Sequence, residues 1–129
     1  MKKNKLVFIQ IGLLSMAFCV GMGAIGAHIL KKSLTPQSLE IFQTGVRYQT
    51  IHSLSLIILY FFPREIKTKW SSVLFLLGII LFCHGCYLYA ITSIKMFVHI
   101  VPLGGLSFII GWLILFFNSI KKQTQTQTN

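Results

Sequence analysis

"LVFIQIGLLSMAFCVGMGAIGAHIL", residues 6–30, contains no lysine, arginine, aspartate or glutamate. It exceeds the roughly 20 apolar residues that cross a bilayer as a helix. Hydrocarbon offers the backbone no hydrogen-bond partners, so a run this long and smooth must satisfy its own N–H and C=O groups as a helix. Lys2, Lys3 and Lys5 precede it, and Ala24 and Gly26 are small enough to stand before a cleavage point. That is the outline of a secretory signal, but a signal core spans only about 7–15 residues. The segment therefore reads as a first membrane span.

Three further runs repeat the pattern, at about residues 41–62, 70–91 and 96–120, and Arg47 is the one formal charge inside any of them. None has a polar face wide enough for a soluble amphipathic helix. The sequence thus predicts an all-α membrane protein, a four-helix transmembrane bundle with short loops, forming a single domain over residues 1–122. The ending "QTQTQTN", residues 123–129, is uncharged and repetitive and predicts a disordered polar tail. Short connections make consecutive helices antiparallel neighbours. Before the second span, Thr35 can cap a helix and Pro36 can occupy its first position, where the missing N–H costs nothing.

The chain is 54% hydrophobic and 11% charged, with a net charge of +10. Its basic residues lie between apolar runs or at the ends, which is a membrane pattern and sets nucleic acid aside as a partner. With four spans, both termini and residues 63–69 share one side. That side holds eight Lys and Arg, at 2, 3, 5, 64, 67, 69, 121 and 122, against four at 31, 32, 47 and 95. The excess predicts cytoplasmic termini.

Small residues concentrate in the first span. Gln10, Ala17, Gly21, Ala24 and His28 fall on one helical face, and Gly23 and Ala27 form a second small pair. Small side chains let another backbone approach closely, so Ala17, Gly21, Gly23, Ala24 and Gly26, with Gly111 in the last span, are the expected packing positions. Polar side chains at membrane depth turn inward and seek partners. His28, Tyr48, Gln49 and His52 are such residues, and Tyr48 stands one turn before His52. In "VPLGGLSFIIGW", Pro102 removes an N–H, and with Gly104 and Gly105 it predicts a broken helix beside this cluster.

"CHGC", residues 83–86, has thiol–disulfide spacing. Inside a helix, positions three apart hold their Cβ atoms about 5–6 Å apart, too far for the roughly 3.5–4.5 Å of a disulfide. The thiols therefore read as small buried side chains. His52 and His84 lie within about a turn of the same depth, which keeps open a haem or other metal held between helices. His99 lies in or near a loop.

Together "GAIGAH" (23–28), "TGVRYQTIH" (44–52), "LGIILF" (77–82) with Tyr87, and "PLGGLSFIIGW" (102–112) resemble the DUF423 family, also called UPF0382, of small bacterial inner-membrane proteins. The resemblance covers residues 6–120. It implies four transmembrane helices in a bacterial inner membrane and draws attention to Gly23, Gly26, His28, Gly45, Tyr48, Gln49, His52, Pro102, Gly104, Gly105, Gly111 and Trp112. At "CHGC" the chain departs from the family's usual serine–glycine–serine, which argues against a family-wide thiol or haem role there.

Three functions are compatible with these residues. The leading expectation is a non-enzymatic integral membrane protein with a structural, accessory or small-ligand or lipid-binding role and no cofactor. Its expected partners are the bilayer, a further copy of itself or another membrane protein. The alternatives are a small-solute or proton transporter working as an oligomer, and a haem- or metal-binding redox protein using His52 and His84. No paired carboxylate or nucleophile motif points to an enzyme, because Glu40 and Glu65 fall on opposite sides of the membrane in this topology.

Overall fold

The computed structural model describes residues 2–127, with side chains from residue 5 to 121. Its elements are α1 (Lys2–His28), a 3₁₀ turn (Leu30–Lys32), α2 (Pro36–Phe61), α3 (Lys69–Gly78), a π turn (Ile79–Cys83), α4 (His84–Thr92) and α5 (Met96–Gln127). Because α3, the π turn and α4 run on without a break, the molecule is a bundle of four rods, with no strand among the described residues. Three of them, Lys5–Lys32, Lys69–Thr92 and Met96–Lys121, are long and apolar enough to cross a membrane. The other, α2, has 26 residues. At about 1.5 Å per residue it is long enough as well, but it carries the polar side chains.

Those polar groups explain the arrangement. α2 lies between α1 on one side and the α3–α4 rod on the other, while α5 packs along that rod. The most polar helix is thus the central one, with Gln49, His52, Ser53 and Ser55 all buried. Its start follows the predicted chemistry: the Thr35 hydroxyl accepts from the Ser38 N–H at 3.2 Å, and Pro36 stands at the first position. Two side chains gather one end of the bundle. Lys5 Nζ donates to the Phe62 carbonyl at 3.0 Å, and Asn118 Nδ2 donates to the Lys67 carbonyl at 2.7 Å. The beginning of α1, the α2–α3 connection and the late part of α5 therefore meet there.

Glycines set the close approaches. A Cβ on Gly45 would stand 2.8 Å from the Tyr87 ring and 3.0 Å from the Cys83 carbonyl, so only glycine lets α2 lie this near the π turn and α4. Gly104 faces the Phe82 backbone in the same way, Gly111 receives the Phe75 ring and Gly78 receives Phe108. The core is Phe42, Leu56, Phe75, Ile79, Cys83, Tyr87 and Phe108 with their neighbours.

Three sequence expectations change. The stripe Gln10, Ala17, Gly21, Ala24 and His28 is exposed along the outer face of α1, and a Cβ on Gly21 would meet nothing within 4 Å. The inward face is Gly12, Ser15, Cys19 and Gly26, about half a turn round the helix. Gly26 packs on the Phe42 ring, and a Cβ on Gly23 would stand 3.7 Å from the Val46 side chain. Small residues permit an approach from either side; the hydroxyl and thiol on the opposite face, which need partners, decide which side α2 takes. Second, the break expected at Pro102, Gly104 and Gly105 is absent, and α5 is continuous through them. Pro102 is exposed in the second turn of the helix, where it withdraws one N–H from the ladder without ending it, while Gly104 serves packing. Third, the helical backbone of α5 runs on to Gln127, into the residues expected as a tail. Residues 128–129 lie outside the described residues.

Candidate functional site

The polar residues form two buried knots on α2. On the α1 side, Gln49 is 1% exposed and its side-chain amide is fully used. Its nitrogen donates to the Ser15 carbonyl at 3.3 Å and to the Ser15 hydroxyl at 3.0 Å, and its oxygen accepts from the Tyr87 hydroxyl at 2.8 Å. Contact with a carbonyl fixes which end of the amide is nitrogen, and both N–H groups and the oxygen then have partners. The Ser15 hydroxyl lies 2.6 Å from that of Ser53, tying α1 to α2 again. One turn along, the Cys19 thiol meets the Val46 carbonyl at 3.1 Å and the Thr50 hydroxyl at 3.0 Å.

The second knot faces α5. His52 Nδ1 lies 2.8 Å from the Tyr48 carbonyl one turn before it, and Trp112 Nε1 donates to His52 Nε2 at 3.2 Å. An indole N–H can only donate and a carbonyl can only accept, so His52 is the Nδ1–H tautomer with both nitrogens engaged. Its ring stacks on Phe108 at 3.5 Å between centroids and meets Phe75 edge-on at 5.3 Å. These side chains bridge α2 and α5, whose backbones do not otherwise meet.

The expected single cluster of His28, Tyr48, Gln49, His52, Pro102, Gly104 and Gly105 is thereby divided. Gln49 and His52 are buried in separate knots. Tyr48 is 38% exposed, with its ring against Phe82 at 4.7 Å. Gly104 and Gly105 face Phe82, and His28 and Pro102 lie on the outside. The reason is angular: Gln49 and His52 are three residues apart, enough for one to face α1 and α4 while the other faces α5. His84 is not beside His52; its ring neighbours are Phe18 and Tyr87, both at 5.9 Å. Both nitrogens of His52 are committed to protein groups, leaving no lone pair directed at a metal between the two. Cys19, Cys83 and Cys86 are buried free thiols. Ser15, Ser53, Tyr87 and Phe108 were missed as members. Ser15 and Cys19 stand four apart on α1, as do Gln49 and Ser53 on α2, a pattern of polar pairs that marks a shared face.

The comparisons agree with this architecture. Residues 22–105 match the family described as "Protein of unknown function (DUF423)". The chain belongs to the DUF423 family. A relative in Staphylococcus haemolyticus, UPF0382 membrane protein SH2409, is 37% identical over 117 residues, covering 89% of this chain and 96% of its own. UPF0382 membrane protein YwdK of Bacillus subtilis is 34% identical over 119 residues, covering 89% and 97%. UPF0382 inner membrane protein YgdD of Escherichia coli K12 is 33% identical over 105 residues, covering 79% and 80%. No solved structure matches. This DUF423 chain is an integral membrane protein, as its apolar helices and its relatives both show.

Proposed function

We propose that the protein is a non-enzymatic accessory component of the membrane, acting through its lipid- and partner-facing surfaces while the polar residues hold the bundle together. The observation that carries this reading is the closure of both knots. Gln49 uses both N–H groups and its oxygen within the protein, and His52 uses both ring nitrogens. A relay or transport site needs groups that exchange partners with a substrate, proton or water, whereas a structural tie needs the partners found here. Interhelical hydrogen bonds of this kind contribute about 0.6–2 kcal/mol each in membranes. The bacterial inner membrane, with cytoplasmic termini, is the setting we assign it.

Proton permeation into vesicles tests the proposal. Protein reconstituted into liposomes with an entrapped pH-sensitive dye is expected to collapse an imposed pH gradient no faster than protein-free vesicles. A flux above that background, abolished by His52→Gln in a protein that keeps its helical content, would overturn the accessory reading in favour of a transporter.

A further inference from the structure

The gathered end of the bundle encloses a feature that the polar knots do not use. A cavity of about 430 Å³ lies between the start of α1, the α2–α3 connection and the first turn of α3. This is within the roughly 300–1,000 Å³ typical of small-molecule sites. Lys5, Arg64, Lys67 and Lys69 bring four cations to its lining, against Glu65 as the one acid there, while Phe8 and Trp70 supply apolar wall.

Several contacts hold the lining in place. Lys5 is anchored by one N–H on the Phe62 carbonyl, leaving two others. The connection is pinned by Asn118 on the Lys67 carbonyl and by a turn from the Ile66 N–H to the Pro63 carbonyl at 3.1 Å. Lys69 Nζ sits 5.6 Å from the Trp70 ring centroid, and Trp70 itself is 64% exposed, as an aromatic residue at the membrane–water boundary would be. At the same place α3 begins without a side-chain cap from Thr68, so the positive end of the helix dipole adds to the lysines and arginine.

We propose that this cavity binds one anionic glycerophospholipid. Its phosphate would sit among Lys5, Arg64, Lys67 and Lys69, and the upper part of its acyl chains would lie on Phe8 and Trp70. Charge complementarity selects an anion. A place at the end of membrane helices, with Phe8 and the exposed Trp70 as apolar wall, selects an anion that carries hydrocarbon. The proposal goes beyond the accessory reading and does not depend on it, since a transporter could hold the same lipid.

Thermal unfolding of the detergent-solubilised protein, titrated separately with dioleoylphosphatidylglycerol, dioleoylphosphatidylcholine and glycerol 3-phosphate, tests it. Phosphatidylglycerol is expected to stabilise the protein at lower concentration than phosphatidylcholine, and glycerol 3-phosphate to have no comparable effect. Arg64→Gln and Lys67→Gln, both on the exposed connection, should each lower the preference about fivefold. The charge-matched pair Lys32→Gln and Lys95→Gln, in the connections at the opposite end, should leave it unchanged. Equal potency of the two lipids would overturn the proposal. So would an equal loss in the two pairs, which means general charge attraction, or equal potency of glycerol 3-phosphate, which means a soluble anion.

Discussion

Tyr87 and Ser71 show how differently two buried hydroxyls weigh in the same bundle. Tyr87 donates to Gln49, whose oxygen has that one partner, so Tyr87→Phe leaves a buried amide oxygen unpaired. The expected cost is about 1–2 kcal/mol. Ser71 Oγ is buried with no hydrogen-bond partner, so Ser71→Ala removes an uncompensated desolvation and should stabilise by up to about 1 kcal/mol. Reversible unfolding in mixed micelles reads both, and the two substitutions should move the midpoint in opposite directions. If Tyr87→Phe were neutral, the Gln49 knot would not tie the helices together. That Gln49 and His52 turn inward was legible from their polarity. Their partners were not, because Ser15, Tyr87 and Trp112 stand 34, 38 and 60 residues away along the chain.

At the scale of the element, the contrast between Gly21 and Gly104 separates small residues that pack from small residues that do not. A methyl group at Gly104 would collide with the Phe82 backbone, and backbone cannot rotate away as a side chain can. Gly104→Ala should therefore force α5 off the π turn and cost about 1–3 kcal/mol. Gly21→Ala meets nothing and should be neutral or slightly stabilising, by less than about 1 kcal/mol. Unfolding midpoints of the two variants check the pair, and equal losses would mean that the outer face of α1 is covered in the assembled protein. The π turn belongs to this scale as well. The His84 N–H reaches back to the Ile79 carbonyl, one residue further than an α-helix would. The extra residue rotates α4 about the rod axis, so that Tyr87 faces Gln49 and Phe42 beyond the point where Phe75 and Ile79 face the core. A straight apolar run carries no mark of this, and reading residues 70–91 as one uninterrupted helix could not supply it.

For the whole molecule, the hydrogen bonds from Lys5 and Asn118 place the start of α1 and the late part of α5 at the same end as residues 63–69. In the orientation proposed above, which the eight-to-four bias in Lys and Arg favours, that end is cytoplasmic. A fluorescent-protein fusion at the C-terminus is expected to fluoresce, and an alkaline phosphatase inserted at residues 93–95 to be active in the same cells. A dark C-terminal fusion together with an inactive phosphatase at residues 93–95 would reverse the orientation. Ser93, the one described non-glycine residue with positive φ, at 57°, closes α4 at that opposite end and turns the chain into α5.

The sequence by itself determined the class of molecule, the number of rods and the start of α2. These rest on local quantities: the length of apolar runs, the spacing of charges and the cap at Thr35 and Pro36. Only the tertiary structure decided which face of α1 is inside, that α5 passes unbroken through Pro102, and that the polar residues divide into two closed knots with a basic cavity apart from both. Those outcomes depend on which distant groups meet. Ser15 and Cys19 draw the inner face of α1 to α2, leaving Gly21 outside, and the π turn aims Tyr87 at Gln49. The basic cavity arises in the same way: Lys5 and Lys67, far apart in the chain, come to line one volume because Phe62 and Asn118 hold their elements together.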